Sequence, residues 1–335
     1  GLDLVRIGPL VPAAELVSIE NRLVRDLAWS VTIGPIVHPV SPRPIAPRAI
    51  GTQLAALGTP GEPLPLFSSA DRWLDAGFTL DWWGQFKDHL DDLDRDPAPL
   101  ERWMTGTERL RHGLRYERFL SYFLEWHPAV DLLVHDLPVQ GAERTLGQFD
   151  FIVRIGGVVT HLEVAIKYYL RLGKPWETAR CLGTDLSDRM DRKIAHALSR
   201  QLALSAGEAG AQTLREAGLP HPRARRFSLR GLLFDRLALL EVAPAAGTAA
   251  VGGEGAIPQY WLATRRELAA RGWAQGLRWA VAGRGEWFSP VRAGEVDTVA
   301  LEELLEEPVE GVPRLVLGLT KTHEATRGIL LDRDY

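Results

Sequence analysis

From Gly147 onward the chain alternates apolar and polar positions with a period of two, the mark of half-buried strands. Phe149, Phe151 and Val153 alternate with Asp150, Ile152 and Arg154; Leu162, Val164 and Ile166 alternate with His161, Glu163, Ala165 and Lys167. Gly156-Gly157 between the runs suits a two-residue hairpin turn, because both positions tolerate positive φ. That turn pairs Ile155 with Val158 and, counting outward, Asp150 with Glu163. Directly opposed side chains stand about 4.5–5.5 Å apart at Cβ. One face of the hairpin is apolar throughout. The other carries an acid on each strand, and Lys167 farther along. Ile152 and Ala165 share the acids' face, so that face is not fully solvated, and the hairpin is expected centrally in its sheet.

A helical period precedes the hairpin. Tyr116, Phe119, Leu120, Phe123 and Leu124 form an apolar stripe between Gly113 and His127-Pro128, with Glu117 on its flank. Leu132–His135 is predicted as a first strand. A second helix is predicted from about Thr184 to Leu204, with Leu186, Met190, Ile194, Ala197 and Leu198 on one side and Arg189, Arg192, Lys193 and Arg200 on the other. Phe227–Phe234 reads as a strand entered by Arg223, Arg225, Arg226 and Arg230, and Leu315–Leu319 as a late buried strand. Nearer the start, Arg22, Asp26 and Trp29 follow a short helical pattern. His38–Pro47 is extended and Pro-rich. Asp71 to Trp103 is read as helical packing, with Asp88–Asp96 a solvated acidic turn. Pro244–Gly255 is a Gly/Ala-rich loop. The expected organisation is a mostly helical elaboration over 1–110, an α/β core over 111–243, and a C-terminal α/β portion over 256–335, either separate or part of the same domain.

Like charges directly opposed destabilise a sheet, so the acid pair asks for a neutralising partner. A divalent cation fits, since Mg²⁺ takes oxygen ligands at about 2.0–2.1 Å. The plainer alternative is a solvent-exposed polar face.

Gly147-Gln148-Phe149-Asp150, an apolar strand, a glycine turn and Leu162-Glu163-Val164 together resemble the PD-(D/E)XK, or restriction-endonuclease-like, nuclease superfamily. The whole chain is similar to a bacterial family of unknown function assigned to that superfamily, through residues 115–120, the hairpin, 163–170, 188–193 and 230–234. The resemblance implies a restriction-endonuclease-like α/β core, a central mixed sheet flanked by helices. It implies Asp150 and Glu163 as ligands of Mg²⁺ or Mn²⁺, and Glu117 as the accessory acid that orients water. It implies metal-dependent phosphodiester hydrolysis of nucleic acid, DNA or RNA. The superfamily's lysine usually stands two residues after the second acid, where this chain has Ala165. Lys167 shares the face, its Cα about 13 Å from that of Glu163 at a rise of about 3.3 Å per residue. It is the lysine assigned here to stabilise the hydroxide or the developing phosphorane charge.

Composition sharpens this reading at a few points. Of 39 basic residues five are lysine, so a lysine kept inside a strand suggests a point-charge role, against the alternative of a side chain snorkelling from a strand end. A net charge of −4 argues against strong non-specific nucleic-acid binding, yet leaves room for a local basic groove. Arg189, Arg192, Lys193 and Arg230 are the candidate phosphate-binding residues, the alternative being solvated basic faces. Among 11 tryptophans, Trp261, Trp273, Trp279 and Trp287 lie with Phe288, Arg278 and Arg284 in the C-terminal third, either to stack bases or to fill a core. The lone Cys181 excludes an intrachain disulfide and a cysteine-rich zinc site. With no membrane-length apolar run and no secretory pattern, a cytoplasmic location is expected. P-loop, dinucleotide and Ser-His-Asp signatures are absent from the sequence. Two rival functions stay open: a catalytically weak or inactive nuclease-fold module that binds nucleic acid or protein, and a metal-dependent enzyme on a small phosphate substrate.

Overall fold

The computed structural model describes residues 2–3, 10–36, 38–39, 77–174, 177–242, 257–306 and 313–331. The predicted loop over Pro244–Gly255 and most of the Pro-rich stretch lie outside these residues. Among the described residues, a single turn at Ala13–Leu16 and four longer helices precede the main sheet: α1 (Arg22–Thr32), α2 (Gly77–Arg95), α3 (Ala98–Met104) and α4 (His112–Trp126). Asp88–Arg95, expected as a turn, is the last part of α2. Phe86, Leu90 and Leu93 are buried there at helical spacing, and this apolar stripe outweighs the acids on the solvent side.

The alternating runs become β1 (Val130–Gln140), β2 (Thr145–Ile155) and β3 (Val158–Arg171). Gly156 and Gly157 have φ of 55° and 80°, and Ile155 pairs with Val158, as the two-glycine turn requires. The short β4 (Cys181–Gly183) returns antiparallel on the far end of β3. Next come α5 (Met190–His196), a π-helical turn over Ala197–Gln201, and α6 (Glu208–Glu216). The helix predicted from Thr184 is therefore shorter: Arg189 is extended at its N-cap, and the turn at Leu202 departs from α-geometry.

β5 (Ala224–Arg236) runs parallel to β3, with Glu163 in register with Phe227 and Lys167 with Gly231. β6 (Trp261–Thr264), β7 (Arg278–Val281), β8 (Arg314–Leu319) and β9 (Glu324–Leu331) complete one mixed nine-stranded sheet. Its order is β1-β2-β3-β5-β6-β9-β8-β7, with β4 beside β3. The C-terminal strands thus continue the sheet of residues 111–243, joined where Asp235 and Arg236 of β5 pair with Trp261 and Leu262.

Helices α1–α4 bury their stripes on one face of the sheet, against Phe151, Val153, Leu162, Val164, Ile166 and Tyr168. Complete burial of Phe119 and Phe123 on α4 contributes about 1.5–3 kcal/mol each. The other face meets α5 and α6 through Ala165, Tyr169, Phe227, Phe149 and Ile152. Trp261 and Trp279 are fully buried and pack edge-on, with Trp273 beside them. These tryptophans are core, and base stacking is not available to the buried pair. Among the described residues no helix is long and apolar enough to cross a membrane.

Candidate functional site

The β2–β3 ladder ends at Phe151↔Leu162, one step before the acids. Beyond it, side chains take over the pairing. The Val164 amide donates to Asp150 Oδ2 at 3.0 Å, and the Asp150 amide faces Glu163 Oε1 at 3.4 Å. The turn-derived register therefore brings the two acids together, while the backbones part and each acid binds the other strand.

Both carboxylates are buried, Glu163 completely. Burial first, then the charge of Glu163, raises Asp150 to about 7. Burial raises Glu163 to about 7, against hydrogen bonds that favour its charged form. Glu117, half-buried on α4, is pushed up to about 8 by burial and by the charges of Asp150, Asp136 and Glu163. Three acids from α4, β2 and β3 thus share one electrostatic neighbourhood.

Glu163 is the most tightly held. His161 Nε2 lies 2.7 Å from Oε1, and Gln201 Nε2 donates to Oε2 at 2.5 Å. Gln201 Oε1 in turn accepts from Lys193 Nζ at 3.2 Å. The Lys193 ammonium stands 5.9 Å from the centre of the Phe227 ring, and Phe227 is the β5 residue in register with Glu163. Burial, then the charge of Lys167, lowers its pKa, while Asp150 and Glu163 act the other way.

Lys167 is directed elsewhere. Its Nζ forms an ion pair with Asp188 at 2.6 Å, in the loop before α5. The lysine nearest the acids in charge and connection is therefore Lys193, expected only as a phosphate contact. Arg230 is a correction: it lies on the α1 face of the sheet, 3 % exposed, donating to Ser228 Oγ and to the carbonyls of Val31 and Ile33. It braces α1 against β5 and cannot face a substrate beside Glu163. Arg189 is ion-paired with Asp191 at 2.6 Å, and Arg192 is exposed on α5. Cys181 is buried and its thiol is pushed up to about 12 by burial, which makes it packing rather than nucleophile.

The family model for a domain of unknown function, DUF1853, matches residues 25–329. The chain belongs to the DUF1853 family. No curated protein and no solved structure matches it. The DUF1853 match runs from α1 into β9, so it encloses every residue of the acid cluster and all of the main sheet except the last two residues of β9.

Within this DUF1853 domain, sequence reasoning missed Gln201 and Ser205 and gave His161 no role. His161 had a signal: it stands two residues before Glu163 on the same strand face. Gln201 and Ser205 had none, because the π-turn that brings them to the sheet has no pattern of its own in the sequence. Among the described residues no three His, Cys, Asp or Glu side chains form a ready metal-binding group; the acids closest to that role are the pair Asp150 and Glu163.

Proposed function

We propose that this DUF1853 chain is a metal-dependent phosphodiesterase acting on nucleic acid, with a PD-(D/E)XK-like, restriction-endonuclease-like core from α4 to β5. The observation that carries the reading is the convergence of Glu117, Asp150 and Glu163, three acids with raised pKa values, beside the cation Lys193. A buried acid cluster of this kind is costly unless a cation neutralises it.

The donor set fits Mg²⁺ or Mn²⁺. Asp150 and Glu163 offer hard oxygens, and the two carboxyl groups interact with each other directly. Mg²⁺ is commonly held by only one or two carboxylates, with water and substrate phosphate completing its shell. When bound, the ion would polarise the phosphate and lower the pKa of water. The protein's own contributions are separate. Glu117 orients the attacking water and accepts its proton. Lys193 stabilises charge on the phosphate in a water-poor setting, where such a contact has most effect. Arg192, exposed on α5, is suited to contact the nucleic-acid backbone. Lys167, paired with Asp188, holds the loop that leads into α5.

The double substitution Asp150→Ala and Glu163→Ala should abolish Mg²⁺-dependent cleavage of DNA and RNA; undiminished cleavage overturns the assignment. One observation favours the rival reading of a non-hydrolytic binding module: both Glu163 oxygens already accept hydrogen bonds. Calorimetric titration with Mn²⁺ separates the two, since the binding module takes up no metal.

A further inference from the structure

Ser205, His161 and Glu163 form a hydrogen-bonded chain inside the protein. Ser205 Oγ lies 3.0 Å from His161 Nδ1, and His161 Nε2 lies 2.7 Å from Glu163 Oε1. All three are at most 1 % exposed. The order resembles that of a nucleophilic triad, but Ser205 is sealed from solvent, so no substrate reaches its hydroxyl. The chain must act inward, on Glu163.

We propose that His161 is a positioning residue for the metal-binding carboxylate, and that Ser205 sets its tautomer. An ionised Glu163 only accepts hydrogen bonds, so Nε2 must carry the proton that faces it. Nδ1 is then an acceptor, and the Ser205 hydroxyl donates to it. Among the described residues the Ser205 hydroxyl bonds to His161 alone, so its rotor is free to serve this contact. The edge of Phe149 meets the imidazole at 4.9 Å between ring centres and stops it from tilting away. Gln201 holds the second oxygen at 2.5 Å. In the ionised form that takes a cation, the two donors clamp the carboxylate from both sides and fix its plane.

The geometry is unusual in where its parts originate. His161 and Glu163 are neighbours on β3, whereas Ser205 and Gln201 come from the irregular stretch after α5, through the π-turn at Ala197–Gln201. A regular α-helix through this stretch would rotate Gln201 and Ser205 by about 100° for the residue the π-turn adds. The π-turn is therefore the structural reason that Gln201 reaches the carboxylate and Ser205 reaches the imidazole facing it.

The inference rests on the metal-binding reading above. It is tested on the full chain by calorimetry with Mn²⁺ at neutral pH, alongside thermal unfolding without metal. His161→Phe keeps an aromatic ring but removes the donor, and should weaken Mn²⁺ binding about 10- to 100-fold. His161→Gln restores an N–H donor and should recover most of the affinity. Ser205→Ala frees the tautomer and should weaken binding by a smaller factor while the protein stays folded. If the wild type binds Mn²⁺ and the Phe and Ala variants bind it equally well, the positioning role is overturned and the metal site stands. Equal losses in the Gln and Phe variants, tracking their loss of thermal stability, also overturn it, since that pattern is plain core damage. If the wild type binds no Mn²⁺, the metal-binding reading falls and this role falls with it.

Discussion

Lys193 and Glu163 are joined through one glutamine: Gln201 accepts from the ammonium at 3.2 Å and donates to the carboxylate at 2.5 Å. The amide has a fixed direction in this bridge, oxygen toward the cation and nitrogen toward the anion. It keeps the charges close without letting them neutralise each other in a direct ion pair. Lys167, by contrast, meets Asp188 directly at 2.6 Å, a contact that commits its charge.

This difference separates the two lysines in kinetics. Lys193→Met should reduce Mg²⁺-dependent cleavage by about 10²–10³, the usual scale for losing one charge-stabilising contact. Lys167→Met should reduce it by less than about tenfold. Lys193 also lowers the pKa values of Glu117, Asp150 and Glu163. Its removal should therefore shift the acidic limb of the pH–rate profile to higher pH. Equal losses for the two variants, with superimposable pH profiles, would return the role to Lys167.

The raised acids set a pH dependence for stability. In the metal-free protein each carboxyl holds its proton to higher pH when folded than when unfolded, with Asp150 and Glu163 at about 7 and Glu117 at about 8. Their contribution to stability is fully present below the unfolded values, is lost as pH rises toward and through the folded values, and changes no further above them. His161 works in the opposite sense, between its folded value of about 4 and its unfolded value of 6.5, and its effect fades above the latter. The window that isolates the acids is therefore roughly pH 6.5 to 8.5. There, denaturant midpoints should fall as pH rises, each carboxyl contributing less than the limiting slope of about 1.4 kcal/mol per pH unit and fading as pH passes its folded value. Glu117→Gln should flatten the upper part of this curve. Saturating Mn²⁺ should flatten it altogether. A wild-type curve that is level across the window would contradict the burial of these charges.

Why was the acid pair legible in sequence and its lysine not? Asp150 and Glu163 are tied by a two-residue turn and period-two strands, and both are local. Gly156 and Gly157 carry the register, and counting from Ile155↔Val158 reaches the acids correctly. Lys193 depends on how α5 docks on the sheet, which no local period encodes. Its partner Gln201 depends on a π-turn that local helix propensity opposes. Arg230 misled for a related reason. Its charge suggested a groove, but its strand position, in register with Ile166, puts it on the face opposite Lys167 and under α1. The coarse fold was legible as a large central sheet with flanking helices. The continuation of that sheet through β6–β9 was not, because the joining contact is only two residue pairs long.

Gly231 is the backbone position on which the β3–β5 contact beside Lys167 depends. Its φ is 135°, and a Cβ there would lie 1.8 Å from the Lys167 carbonyl oxygen. Both atoms of that clash are held by the sheet, so relief requires the strands to part. Gly231→Ala should destabilise the protein by about 3–5 kcal/mol, at the severe end for a single methyl group, read as a lower urea midpoint. A loss under about 1 kcal/mol would show that the two strands are freer to move than their pairing implies.

Arg192 and Arg230 should part company in nucleic-acid binding. Arg192 is exposed on α5, so Arg192→Ala should weaken binding to any DNA or RNA sequence. It should reduce the slope of log affinity against log salt by about one unit, the signature of one lost phosphate contact. Arg230→Met should leave that slope unchanged. It should instead cost about 2–4 kcal/mol of stability, because the carbonyls of Val31 and Ile33 and the Ser228 hydroxyl lose a buried cationic donor. Salt-titrated binding with a fluorescent oligonucleotide, paired with denaturant unfolding, reads both effects. A reduced salt slope in a folded Arg230→Met variant would place that guanidinium at the nucleic-acid surface, against its burial beneath α1.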